Sequence, residues 1–228
     1  MDSVFFELSD RFTAGRFYDI RNGDHAYDLC FICKQKRCFS LFCKFFCLTL
    51  HLLGEHQLRN AALAIEAVNV LREKGWSIPE SALREGLSAA RWEARFELLR
   101  SDPPVIADGA HNPQCVEALA RSLDVYLPGQ KVVFLLGVLA DKDYETMLAR
   151  LLPYGKEFIC LTPDSPRALG ADELCAYLRA KGAPAVSCDT AAEGVRRALE
   201  ESGGETPVVA CGSLYLMGEI REAVKSGG

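Results

Sequence analysis

Three short stretches combine charged or hydroxyl side chains with the small residues that let a backbone approach a ligand. In Asp108-Gly109-Ala110-His111-Asn112-Pro113, Asn112 can cap a helix and Pro113 can occupy its first turn, which turns helical N–H groups and the positive dipole end toward an anion. Asp108 can accept from a ribose or a cation, and His111 can donate to a carboxylate or phosphate. In Gly137-Val138-Leu139-Ala140-Asp141-Lys142-Asp143, the spacing puts Lys142 at a helix start, where the macrodipole disfavours a cation. A substrate carboxylate would offset that cost. In Cys211-Gly212-Ser213-Leu214-Tyr215-Leu216-Met217-Gly218, Gly212 permits a tight turn and Ser213 can cap a helix or offer its hydroxyl to an anion. No G-x-S-x-G elbow is present, so no catalytic serine is implied. Tyr215 and Met217 are expected in the core. Each motif also has a plainer reading, as a capped turn, a solvated charge cluster or a packed helix start.

The elements around these motifs make the chemical reading worth pursuing. From residue 96 onward strands and helices alternate. Strands are predicted at 96–100, 105–107, 131–136, 157–161, 185–188 and 207–210. Continuous apolar runs such as Val132-Val133-Phe134-Leu135-Leu136 indicate burial on both faces of a largely parallel sheet. The fold class is therefore α/β, a doubly wound, mostly parallel sheet. In such sheets ligands bind beyond the carboxyl ends of the strands, and all three motifs directly follow predicted strands.

The first half of the chain reads differently. Residues 16–29 suggest a hairpin turning at Asn22-Gly23. Residues 57–71 carry helical spacing of Leu58, Ala61, Ala62, Ile65 and Val68. A further helix is expected over 79–89, after a Gly75 stop and with a Ser77-x-x-Glu80 capping pattern. The first of these helices opens with Gly54-Glu55-His56-Gln57-x-x-Asn60. Between hairpin and helix, residues 30–49 hold Cys30, Cys33, Cys38, Cys43 and Cys47. Only Cys30/Cys33 has the spacing of a zinc knuckle, so the stretch reads as a reduced, Cys-rich insertion and no metal ligand is assigned.

Composition narrows the function classes. The 228 residues are 49% hydrophobic and 25% charged, the profile of a folded domain. A formal net charge of -5 supplies no positive field for nucleic acid. Lys34, Lys36, Arg37 and Lys44 interrupt the apolar run around 29–53, so no membrane span is expected there. The amino terminus lacks the pattern of a secretory signal, and a cytoplasmic location is expected.

Taken in order, Gly54-x-His56-Gln57-x-x-Asn60-Ala61, Arg91-Trp92-x-x-Arg95-Phe96-Glu97 and the three motifs above resemble folylpolyglutamate synthase and dihydrofolate synthase of the Mur ligase superfamily, in their carboxy-terminal part. The resemblance runs from about residue 52 to 224. It implies an ATP-dependent ligase, working with Mg2+, that activates a folate or dihydropteroate carboxylate as an acyl phosphate and joins it to the amine of glutamate. On this resemblance Asn60, Arg95 and Asp108 contact ATP, while His111, Lys142 and Ser213 hold glutamate. It further implies that residues 1–94 are a remnant of the central ATPase domain, with the insertion at about 30–49, and that 95–228 form the glutamate-ligase domain. Two departures stand out. Trp92-Glu93-Ala94-Arg95 replaces the family's Trp-Pro-Gly-Arg, so the hinge is expected to be stiffer or differently set. The sequence also contains no G-x-x-x-x-G-K-[ST] loop. The family's magnesium ligands belong to the same missing region, so the chain is expected to be inactive alone and to need an ATPase domain supplied. A non-catalytic nucleotide- or amino-acid-binding module, or a piece of a cell-wall ligase, stay open as alternatives. Amide hydrogen exchange gives a direct check on the organisation: 30–49 should exchange faster than 131–136, and equal protection would remove the insertion reading.

Overall fold

A computed structural model of the chain describes residues 4–9, 12–16, 27–33 and 46–227, with side chains from residue 50 onward apart from that of Glu55. The chain divides into two compact units, Met1–Trp92 and Glu93–Gly228.

The first unit holds a four-stranded antiparallel meander in sequence order: β1 (Val4–Ser9), β2 (Phe12–Arg16), β3 (Tyr27–Cys33) and β4 (Phe46–Leu50). β2 and β3 pair from Phe12↔Cys33 to Gly15↔Cys30. The expected return strand thus begins at Tyr27, while the turn and Phe17, Tyr18 and Ile20 lie outside the described residues. Of the Cys-rich stretch, its first residues complete β3 and its last form β4, which pair with each other. Residues 34–45 lie outside the described residues.

Two helices follow, α1 (Glu55–Glu73) and α2 (Glu80–Ala89). α1 ends as Gly75 predicts. With φ at +92°, Gly75 donates to Arg72 O and Trp76 donates to Leu71 O, the paired bonds of a Schellman stop. The capping pattern at Ser77 is not used. α2 is preceded by Pro79, with no side-chain cap. Pro79 fixes an extended entry that already sets the boundary.

The second unit is a six-stranded sheet in the order β5-β6-β10-β7-β8-β9. Its strands are β5 (Glu97–Ser101), β6 (Pro104–Ala107), β7 (Val132–Leu136), β8 (Gly155–Cys160), β9 (Ala185–Ser187) and β10 (Val208–Cys211). β5 is antiparallel to β6, and every other pairing is parallel. The helices are α3 (Pro113–Tyr126), α4 (Tyr144–Leu151), α5 (Ala171–Ala180), α6 (Ala191–Ser202) and α7 (Leu214–Lys225).

Strand alternation sorts the core into two layers. Val105, Ala107, Val133, Leu135, Ile159, Leu161, Val208 and Ala210 pack with residues of α6 and α7. The intervening residues face the other side, where α5 packs on β8 and β9. There Phe134 stacks on Phe158 with ring centroids 5.2 Å apart, both rings being excluded from solvent. Residues on both faces of the central strands are buried, which is why these strands read as unbroken apolar runs. Among the described residues, no helix is long and apolar enough to cross a membrane. Phe134→Ala should destabilise the second unit by about 3–5 kcal/mol, measurable by urea denaturation, because it removes a buried ring and its stacking partner's support.

Candidate functional site at the carboxyl edge of the sheet

The chain leaves β6, crosses to β7, and returns after β9 to insert β10 between those two strands. That reversal places three strand ends side by side, and each carries one of the three motifs. Backbone hydrogen bonds join them. Asp108 N donates to Ala210 O at 2.9 Å, and Gly212 N donates to Ala110 O at 2.9 Å. Gly137 N reaches Cys211 O at 3.4 Å. Gly212 has φ +102°, and a Cβ there would lie 2.4 Å from Gly137 O, so only glycine fits where loops two and three meet.

In the first loop, Asp108 is 7% exposed and fully engaged by its own fold. Its Oδ2 accepts from Phe96 N at 2.9 Å and its Oδ1 from Ala110 N at 2.8 Å. Burial pushes its carboxyl up to about 6, although these two donors and the charges of Arg95 and His111 pull the other way. The His111 ring meets Gly109 O through Nδ1 at 2.8 Å. A carbonyl can only accept, so Nδ1 carries the proton and Nε2 is left for another partner. Asn112 caps α3 by accepting from Cys115 N at 2.8 Å, with Pro113 in the first turn, as its sequence predicts.

Arg95 lies over this loop. Its guanidinium donates to Ala94 O at 3.1 Å, and a Cβ on Gly109 would come 2.8 Å from its Nη1. The replaced Trp-Pro-Gly-Arg segment explains itself locally. Ala94 adopts φ +53° and Phe96 φ +47°, conformations that favour glycine. Glu97 Oε2 accepts from Ala94 N at 2.8 Å and from Arg221 Nη2 at 2.6 Å, while Arg221 Nη1 pairs with Glu93 at 3.1 Å. These bonds, with Asp108 on Phe96 N, hold the left-handed turn without a glycine.

In the second loop α4 begins at Tyr144, two residues beyond Lys142, because Asp143 is its cap and accepts from Thr146 N. Lys142 therefore precedes the helix rather than opening it. Asp141 pairs with Arg167 at 2.9 Å. In the third loop Ser213 is almost fully buried and caps α7 by accepting from Tyr215 N at 3.3 Å. Met217 is buried as expected, but Tyr215 is 53% exposed. It sits in the first turn of α7, and the Arg167 guanidinium lies near it.

Asn60 belongs to the first unit, where its amide donates to Gln57 Oε1 at 3.0 Å and Gln57 in turn meets His56 at 3.1 Å. Arg95, Asp108, His111, Lys142 and Ser213 all belong to the second unit. Sequence reasoning missed Arg167 and the loop carrying it, although the loop follows β8 and the strand-end rule would have included it.

Residues 94–214 match the family model described as Mur ligase, glutamate ligase domain. The chain belongs to that family. The glutamate-ligase domain is accompanied by similarity over a longer stretch. The chain is 33% identical over 180 residues to the folylpolyglutamate synthase of Lacticaseibacillus casei, covering 77% of this chain and 40% of that protein. It is 34% identical over 176 residues to the dihydrofolate synthase/folylpolyglutamate synthase of Bacillus subtilis (strain 168), covering 76% and 40%. Among solved structures it is similar to E. coli FolC in complex with DHPP and ADP, with TM-score 0.71 and 28% identity over 90% of this chain and 45% of that one. A Mycobacterium tuberculosis folylpolyglutamate synthase complexed with ADP gives TM-score 0.73 and 27% identity, covering 88% and 45%. The chain thus spans about 40% of the length of the curated relatives it matches.

The buried carboxylate gives the glutamate-ligase domain a pH signature. Asp108 titrates near 6 when folded and near 3.8 when unfolded, so the folded state binds the extra proton between those values. Its contribution to stability is greatest below about pH 4 and declines as pH rises to about 6, by on the order of 3 kcal/mol. Unfolding free energies measured across this range should show the decline, and Asp108→Asn should remove that component of the slope.

Proposed function

We propose that this chain supplies the glutamate-binding half of an ATP-dependent ligase that joins glutamate to a folate or dihydropteroate. The observation that carries the reading is the convergence of His111, Lys142 and Ser213 on three adjacent strand ends, in a chain of the glutamate-ligase family. In this reading the ammonium of Lys142 and an Nε2–H of the doubly protonated His111 ring hold the carboxylates of incoming glutamate, and the Ser213 hydroxyl donates from the buried start of α7. The fixed donors hold the amino acid with its amine toward the acceptor's acyl carbon. The amine nitrogen forms the new bond to that carbon, the bond from carbon to the phosphate oxygen breaks and phosphate leaves, and the nitrogen keeps one hydrogen and releases the others to water.

The relatives solved with ADP motivate an ATP role for Arg95, Asp108 and Asn60. Arg95, a cation lying over a glycine beside a helix start, suits a phosphate. Asp108 has less freedom: both oxygens already accept backbone N–H groups, so a ribose would share an occupied carboxylate. ATP, where bound, supplies the phosphoryl group that activates the acceptor. Among the described residues no group of three or more His, Cys, Asp or Glu side chains could hold a metal ion, so no step in this chain is assigned to Mg2+. The phosphates would instead be held by an ATPase region bearing the P-loop, either in another polypeptide or in a longer form of this one.

Purified chain given ATP, Mg2+, L-glutamate and a dihydropteroate or folate should form no amide product by itself. It should form product when the ATP-binding region of a related synthase is added. In that assembly Lys142→Ala should weaken glutamate use about ten- to a hundredfold and leave the ATP requirement nearly unchanged, as loss of one charged hydrogen bond of about 1.5–3 kcal/mol predicts. Steady turnover by the chain alone, or an unaltered glutamate requirement in Lys142→Ala, would overturn the assignment.

A further inference from the structure

Lys142 lies between two acids that are both committed elsewhere. Asp143 caps α4 through Thr146 N, and Asp141 faces Arg167 at 2.9 Å. Among the described residues the half-buried Lys142 side chain itself has no hydrogen bond or ion pair. Arg167 is held in place by more than its charge. The loop after β8 runs antiparallel to the second motif: Ala140 N donates to Arg167 O at 2.8 Å, Leu139 bridges to Ala168, and Leu169 N donates to Val138 O at 3.0 Å. Ser165 tightens the turn, its hydroxyl accepting from Arg167 N at 3.3 Å. From this ladder the Arg167 guanidinium reaches Asp141 of the second motif at 2.9 Å, with Tyr215 of the third nearby.

Resting on the glutamate-site reading above, we infer that Arg167 is a positioning residue: it draws the Asp141 carboxylate away from Lys142 and so keeps the lysine ammonium open to a substrate carboxylate. Asp141 is the sequence neighbour of Lys142, and a carboxylate turned toward that ammonium would compete with a substrate carboxylate for it. Pairing Asp141 with a guanidinium, which offers a planar fork of donors, removes the competitor without removing negative charge from the loop.

The test separates this role from the function it serves. Competitive acetylation of the full chain reports how free the Lys142 amine is, because a lysine paired with a carboxylate is held protonated and reacts more slowly. Arg167→Ala should lower Lys142 reactivity severalfold as Asp141 turns to it, and Arg167→Ala/Asp141→Asn should restore it. Arg167→Lys, which keeps a donor for Asp141, should stay near the original chain and guards against a folding defect in the alanine variant. Titration with L-glutamate, followed by NMR, should show the same order, with weaker binding in Arg167→Ala and recovery in the double variant. A merely structural role for Arg167 would leave the double variant as impaired as the single one. Unchanged Lys142 reactivity in Arg167→Ala, or absence of rescue by Asp141→Asn, overturns the inference. If the labelling follows the expected pattern but no variant responds to glutamate, the positioning role stands and the ligase reading falls.

Discussion

A carboxylate almost without water holds the beginning of the second unit to its first strand-end loop. Asp108 spends one oxygen on Phe96 N and the other on Ala110 N. Phe96 is a fully buried ring at positive φ, lying against Tyr126 of α3, so its backbone has little reason to adopt that shape unaided. The carboxylate supplies the reason. Its second bond shapes the turn that carries His111 and the capped start of α3. The burial that raises its titration is therefore the same burial that lets one side chain organise two segments.

From this joint outward, the site is assembled by chain reversal. Because β10 enters between β6 and β7, loops more than seventy residues apart in sequence meet as neighbours. Glycine is required where they touch, at Gly212 against Gly137 O. Charge is then distributed over the assembled edge: Arg95 over the first loop, Lys142 on the second, and Arg167 reaching between the second and third. Each cation has a carboxylate close by: Asp108 near Arg95, Asp141 against Arg167, and Asp141 and Asp143 on either side of Lys142 in sequence.

Much of this was legible before any coordinates, for identifiable reasons. Val132 to Leu136 is apolar without interruption because the strand is buried on both faces, and periodicity reports burial directly. Asn112-Pro113 and Ser213 announce helix starts through short-range hydrogen bonds, so local sequence suffices. Ser77-x-x-Glu80 carried the same signature and misled, since Pro79 dictated the entry instead. Tyr215 misled in the opposite sense: aromatic character suggested burial, whereas in the first turn of α7 its side chain is left 53% exposed. The bonds from Asp108 to Phe96 and from Arg167 to Asp141 span 12 and 26 residues, and no local pattern encodes them. The left-handed turn at Ala94 was invisible for a related reason. Its residue type argues against that conformation, and the groups that enforce it, Glu97 and Arg221, come from opposite ends of the unit.

The seam between loops one and three consists of main-chain atoms: Ala210 O with Asp108 N, and Ala110 O with Gly212 N. A frame built this way is indifferent to most side chains that it carries. Substitutions at positions such as 111, 142 or 215 can change the groups displayed there while the main-chain bonds between the loops are kept, whereas a single methyl group at 212 would shift the frame itself. Selection acting on such a surface can change its side chains in small steps, each tested on a scaffold that does not have to be rebuilt.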